Sequence, residues 1–310
     1  MHFTSFNFTG QGAAPRLIVT GAVHGNETCG TQAIHRVLAQ LHDGALRISA
    51  GSLTLVPVAN PLAYAKGERA GERNLNRNLF PSAAPQDFED RVANWLCPLL
   101  AQHDVLLDLH SFTAPGTPFA LLGPRDNTGP LQPFAHAAQE RALARRLGVR
   151  RFVEGWLQTY SRGVRRRGDR EAALRHGVGT TEYMRSVGGY ALTLECGQHQ
   201  DAAAPQLAYQ AIINALAFLG LIDRPAPPAL EREDAEALIM VEVYDKVAAA
   251  DAFCRPWASF DAVDRGQLIG HRADGTPLCA EFDGRILFPD SAAGAGEEWF
   301  YLARPNADFG

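Results

Sequence analysis

Two histidines and two glutamates stand where short apolar runs give way to polar turns. His24-Gly25-Asn26-Glu27 follows RLIVTGAV and sets an imidazole and a carboxylate three residues apart, near enough to hold one cation, with the glycine relieving the turn. His110 ends DVLLDLH, and Glu195 stands near the end of YALTLEC. Two nitrogens and one carboxylate are a donor set that zinc accepts, with its fourth position left to water. H-x-x-E alone also describes a solvated loop, and His110 alone reads equally as a hydrogen-bonded strand-end histidine. A histidine closing a buried apolar strand needs a polar partner there, which shifts the weight toward His24, Glu27 and His110 as ligands to one zinc ion per chain. A carboxylate beside an activated water takes its proton and later delivers it to a leaving nitrogen, which is the role open to Glu195. Read alone, Glu195 is equally a buried carboxylate paired with an arginine.

The elements that position these groups follow from the apolar spacing. RLIVTGAV (16–23) and SLTLVPVA (52–59) read as strands, the second closed by Asn60-Pro61. Ile34, Val37, Leu38 and Leu41 fall at i, i+3, i+4 and i+7, which is a core-facing helix. Phe88 to Leu99 forms another, which Pro98 is expected to kink or end. DVLLDLH (104–110) and YALTLEC (190–196) read as central strands, with FALLG (119–123) and a helix from Pro133 to Leu147 between them. The arginines 162, 165, 166, 167 and 170 read as a solvated helix, with an oligomer surface or pocket lid as the minority reading. A helix from Pro205 to Leu219 precedes Pro225-Ala226-Pro227-Pro228, the best linker in the chain, and short strands with Asp274-Gly275 and Asp283-Gly284 turns follow. Residues 1–224 are therefore expected to form an α/β sandwich with a largely parallel or mixed sheet, and residues 229–310 a small β-rich domain. Ligands in such sheets sit beyond the carboxyl ends of the strands, where His24, His110 and Glu195 all fall.

With 46% hydrophobic and 20% charged residues the chain is an ordinary globular one rather than a disordered one, and its net charge of −5 gives no electrostatic case for nucleic acid. Five scattered cysteines without a C-x-x-C pair suit a reducing compartment. Met1 to Gly12 lacks the basic and apolar regions of a secretory leader, and no run approaches the ~18 apolar residues of a membrane span, so a cytoplasmic protein without membrane partners is expected. The loop GERAGERNLNRNLF offers Arg69, Arg73 and Arg77 beside Asn74, Asn76 and Asn78; its spacing does not say which point inward, and Arg73 reads as solvated. The remaining histidines lack ligand spacing to one another. Asp108 shares the strand face of His110 and reads either as its support or as a structural residue. Cys196 reads as a small buried residue rather than a nucleophile.

HGNE after a first strand, N-L-N-R-x-x-F about fifty residues on, D-L-H at a strand end and T-L-E-C-G later, four motifs in order, resemble the succinylglutamate desuccinylase/aspartoacylase family, a branch of the zinc carboxypeptidase superfamily. The resemblance covers the α/β part well and the tail loosely. It implies a zinc-carboxypeptidase-like sandwich, His24, Glu27 and His110 as zinc ligands, and Glu195 as general base. It further implies that Arg69 polarises the scissile carbonyl and that Asn76, Arg77 and Arg185 bind a substrate carboxylate, guanidinium forks being permanently charged and bidentate. The sequence departs from the family at Asn74, where an aspartate usually accepts a hydrogen bond from the first zinc histidine. It also departs at 291–296, SAAGAG, where no substrate-side tyrosine is matched.

The resulting expectation is zinc-dependent hydrolysis of the amide of an N-acyl amino acid that carries a carboxylate, with room for a homo-oligomer. Two alternatives stand beside it: a carboxypeptidase-like peptide hydrolase, and a catalytically silent zinc-binding protein, which would not need the base.

Overall fold

A computed structural model describes residues 2–168 and 173–307. In chain order the elements are β1 (Phe6–Thr9), β2 (Gly12–Thr20), α1 (Cys29–His42), β3 (Ala50–Val56), α2 (Pro61–Lys66), α3 (Phe88–Leu100), β4 (Val105–Phe112), β5 (Phe119–Leu121), α4 (Ala137–Ala144) and β6 (Arg151–Glu154). Then come α5 (Trp156–Arg166), α6 (Ala173–His176), α7 (Thr180–Ser186), β7 (Tyr190–Gln198) and α8 (Ala204–Phe218). The remainder is strand-rich: β8 (Glu236–Asp245), β9 (Ala252–Phe253), β10 (Ala262–Val263), β11 (Leu268–His271), β12 (Pro277–Cys279), β13 (Gly284–Leu287) and β14 (Glu298–Pro305).

The central strands alternate in what they touch. Leu17 and Val19 of β2, Val105, Leu107 and Leu109 of β4, and Leu192 and Leu194 of β7 pack on one face with α1 and α8. Ile18, Leu106 and Ala191 pack on the other with α3 and Met184 of α7. Strands covered on both faces have no polar alternation to show, and for that reason they read as unbroken apolar runs in sequence. Among the described residues, eleven strands form one mixed sheet in the order β1-β3-β2-β4-β7-β5-β6-β8-β14-β13-β10, and β12-β11-β9 form a second, small sheet. β2, β4 and β7 run parallel, so their carboxyl ends open on one side.

The tail is strand-rich, and β8 pairs in parallel with β6, so the large sheet runs on past the Pro225–Pro228 segment. Helix α3 contains Pro98 and ends two residues beyond it. The helix expected over 133–147 is shorter, because residues before Ala137 belong to a loop closed by paired bonds between Asn127 and Phe134. Arg162, Arg165, Arg166 and Arg167 are exposed at α5 and its end, as the solvated-helix reading expects, and three of them also reach β8: Arg162 donates to Val241 O, Arg166 to Val243 O with an ion pair to Glu242 at 2.7 Å, and Arg167 to Asp245 at 2.8 Å. Long side chains at the rim of a helix reach the acceptors of the strand beneath it, which an unplaced sequence does not reveal. Arg170 lies outside the described residues.

Candidate active site

The turn after β2 returns His24 and Glu27 to the carboxyl end of the sheet. Gly25 is required there by proximity, since a Cβ at that position would lie 2.0 Å from the carbonyl carbon of Ala63 in α2. His110 lies near the end of β4 and Glu195 on β7, directly opposite one another in the register of the two strands. His24, Glu27 and His110 are buried, and their ligand atoms lie within 4.8 Å of one another.

Each histidine turns the same nitrogen inward. Nδ1 of His24 lies 2.8 Å from Glu27 Oε1, and Nδ1 of His110 lies 2.8 Å from Glu27 Oε2. The outer nitrogens face acceptors: Nε2 of His24 is 3.0 Å from Asn74 Oδ1, and Nε2 of His110 is 2.8 Å from Asp108 Oδ2. An acceptor behind Nε2 fixes the hydrogen there and leaves the Nδ1 lone pair for a metal. Asp108 is itself held by the hydroxyls of Thr20 and Thr180. The donor set therefore fits zinc: two imidazole nitrogens and a carboxylate converge, each backed from outside.

The electrostatics of the two histidines diverge. Burial and the Arg69 charge outweigh Glu27 and hold His24 down to about 4. Burial opposes charge on His110 too, but Asp108 and Glu27 together raise it well above the usual histidine range. Burial also works against the Glu27 carboxylate, yet the two imidazoles keep it well below its usual range. Glu195 goes the other way: burial and the neighbouring Glu27 charge push it up to about 8. Its Oε2 is buried without a hydrogen-bond partner, and the residue lines the same cavity as His24, Glu27 and His110.

Arg69 donates from Nη1 to Glu27 Oε1 at 3.0 Å and is half exposed at the cavity mouth. The loop that carries it folds around Glu89 of α3, a fully buried carboxylate accepting bonds from Asn60 Nδ2 and from the backbone of Gly71, Glu72 and Arg73. Nothing in the pattern of α3 singles out Glu89, whose partners lie 16 to 29 residues away. Arg73, expected to be solvated, is three-quarters buried and bridges Asp87 and Asp90 at 2.7 and 2.8 Å. It locks the loop to the start of α3 because α3 opens with acidic residues.

Asn76, Arg77 and Arg185 line the same cavity, of about 620 Å³, as the donors and Glu195. Asn76 Oδ1 accepts from Thr180 N at 2.9 Å, joining the loop to α7. The Arg77 guanidinium sits over the rings of Tyr160 and Trp156, 4.5 and 5.0 Å from their centroids, and faces Glu298 of β14 at 3.5 Å. Arg185 is buried and engaged by Glu140 at 3.0 Å, Glu182 at 3.5 Å and Ala191 O at 2.7 Å. Both guanidiniums thus already meet a carboxylate of the chain. Residues not singled out in the sequence complete the walls: His199, bonded to Ser111 Oγ at 2.8 Å, and Trp156, Glu298 and Tyr301 from α5 and β14. His199 follows Glu195 by four residues, a proximity that was legible; the others come from distant segments.

The chain and its fold have relatives among known proteins. Residues 13–147 match the model of the succinylglutamate desuccinylase/aspartoacylase catalytic domain. The chain is 30% identical over 105 residues to an N-alpha-acetyl-L-2,4-diaminobutyric acid deacetylase of Halomonas elongata, a match spanning 33% of this chain and only 30% of that protein. A succinylglutamate desuccinylase/aspartoacylase from Rhodobacter sphaeroides superposes with a TM-score of 0.74 at 19% identity, covering 98% of this chain and 90% of the other. The product-bound ectoine utilization protein EutE (DoeB) of Ruegeria pomeroyi superposes with 0.72 at 20% identity, covering 95% and 87%. At those identities the solved structures speak for the fold. Residues 13–147 thus resemble the succinylglutamate desuccinylase/aspartoacylase catalytic domain, and nearly the whole chain shares the fold of solved structures that carry that name.

Proposed function

We propose that the protein is a zinc-dependent amidohydrolase that cleaves the acyl group from an N-acyl amino acid. The observation that carries this reading is the convergence of His24, Glu27 and His110 beside a buried, unpartnered oxygen of Glu195. A silent metal-binding protein has no use for that last group. When bound by those three residues, zinc supplies Lewis-acid polarisation and makes water acidic enough to react near neutral pH.

The chain's own groups do the rest. Glu195 takes a proton from the attacking water at its free oxygen and passes it to the departing amine. Arg69, at the mouth beside Glu27, points a permanent positive charge toward the carbonyl oxygen as negative charge grows on it. Asn76 and Arg77 hold the α-carboxylate, with Arg185 as a further cation on that wall. The Arg77 fork is held in position by the two rings beneath it, so little of its freedom is lost on binding. A cavity of about 620 Å³ matches a small molecule better than an extended peptide.

The test is release of free amine by the zinc-loaded protein from a panel of N-acyl amino acids and their methyl esters. The free acids should be cleaved, and esterification should cost a charge-assisted hydrogen bond, roughly ten- to a hundredfold in kcat/KM. Equal turnover of acid and ester would remove the carboxylate pocket from the reading.

A further inference from the structure

The cavity walls carry more chemistry than the reaction uses. Among the described residues, three that line this cavity each carry a buried side-chain atom without a hydrogen-bond partner: Oε2 of Glu195, Nε2 of Gln132 and the hydroxyl of Tyr301. The first is the proposed base. The other two are neutral groups from separate segments, and a buried polar group left unsatisfied by the protein marks a place where a ligand atom completes it.

Gln132 is set in place by an ordered loop. Asn127 pairs with Phe134 through two backbone bonds of 2.8 and 2.9 Å, and Asn127 Nδ2 donates to the backbone oxygens of Arg125 and Gln132. The loop is thus tied to itself at both the backbone and the amide of Asn127, while the Gln132 side-chain nitrogen is spared. Tyr301 is almost fully buried on β14, next to Glu298. Burial and the Glu298 charge hold its phenol well above the usual range, so it remains a neutral hydroxyl.

The charges around these groups decide what they accept. The two buried guanidiniums of the wall are matched within the chain, Arg77 by Glu298 and Arg185 by Glu140 and Glu182. Glu298 and Asp290 also line the C-terminal side of the cavity. Arg77, whose contact with Glu298 is long at 3.5 Å, serves one substrate carboxylate. Arg125 also lines the cavity but is exposed, so a second carboxylate buried against neutral donors and beside Glu298 would lack a buried compensating cation, which is strongly disfavoured. A neutral end with hydrogen-bond acceptors carries no such cost and offers partners to the orphaned donors.

Building on the reading above, we infer that the site selects an N-acyl amino acid with a single carboxylate and a neutral, hydrogen-bond-accepting end, read by Gln132 and Tyr301. The experiment compares N-acetyl-L-glutamine and N-acetyl-L-asparagine with N-acetyl-L-glutamate and N-acetyl-L-aspartate on the zinc-loaded full chain, by turnover and by calorimetric binding. The amides should be favoured about tenfold or more in kcat/KM, and Gln132→Leu and Tyr301→Phe should each erase about tenfold of that preference, mainly through KM. Gln132→Asn, which keeps the amide, should restore part of it. Thermal melting separates misfolding from lost recognition, and the two variants alter different segments, so one survives as a test if the other fails to fold. Preference for the dicarboxylates, or a selectivity unmoved in both folded variants, overturns the inference while leaving hydrolysis intact. If no compound is cleaved, the hydrolase reading fails separately, and calorimetry still decides the selectivity: amide binding lost in Gln132→Leu supports it, and indifference to the side chain refutes it.

Discussion

The two histidines of the donor set face one carboxylate from opposite sides and are held by opposite means. His110 is a strand residue, backed two positions earlier by Asp108, whose own oxygens are occupied by Thr20 and Thr180. His24 lies in a turn, backed by Asn74 from a loop fifty residues on. Asp108 and Glu27 together raise the proton affinity of His110, whereas burial and the Arg69 charge lower that of His24. The same ligand chemistry is thus mounted once on rigid, charged scaffolding and once on a neutral loop. Support behind a ligand is a design variable separate from the ligand itself.

Removing either mount tests whether both belong to one centre, and this is the largest effect expected. His24→Ala and His110→Ala should each lose tightly held zinc, measured by elemental analysis of the purified protein, against about one ion per parental chain by the three-ligand, open-site pattern. A variant that keeps a full complement would detach that histidine from the centre.

Leaving both mounts intact and altering only the base sharpens the comparison next. Glu195→Gln keeps the shape of the side chain but cannot take a proton, so zinc content and melting temperature should hold while turnover falls about 10²- to 10⁴-fold. Near-parental kcat would move proton transfer to another group. Loss of zinc with turnover would instead make Glu195 part of the metal's support.

How much of this was readable follows the same division between strand and loop. His110, Glu195 and the fold around them were legible because a buried parallel strand is an unbroken apolar run, and a polar residue at its end stands out. The family resemblance pointed to Asn74 as the place of a supporting aspartate, and the structure sets its carbonyl oxygen at His24. Glu89 was not legible, since its role is to accept backbone bonds from a loop in a separate segment, and no spacing rule encodes that. The arginines of α5 were legible as an exposed run, but not their bonds to β8, whose acceptors come from about 80 residues away. Charge compensation was hidden in the same way. Arg77 and Arg185 suggest an empty anion pocket in sequence, but Glu298 and Glu140 reach them only once β14 and α4 are in place.

The smallest effect is also the most direct measure of the contrast between the two mounts, and it comes from exchanging their supports. Asn74→Asp would place a carboxylate behind Nε2 of His24, as Asp108 does behind His110, making the imidazole a more basic donor. Such supporting groups are typically worth about 10–100-fold in metal affinity or activity, so zinc retention against a chelator should improve, toward the lower end of that range because the loop also relies on Asn74 Oδ1 to accept from the backbone of Asn76 at 2.9 Å. Asp108→Asn is the mirror experiment and should weaken retention by a comparable or larger factor, since the asparagine must also satisfy Thr20 and Thr180, whose hydroxyls now donate to a carboxylate. The pair of measurements is read as a difference. If Asn74→Asp tightens and Asp108→Asn loosens zinc binding, charge behind the ligand is what distinguishes the two mounts. If both variants loosen it, each support is tuned to its own surroundings and the neutral one is not a weaker copy of the charged one. If neither changes chelator competition, the outer hydrogen bonds position the rings without setting their basicity, and the contrast in proton affinity has no consequence for the metal.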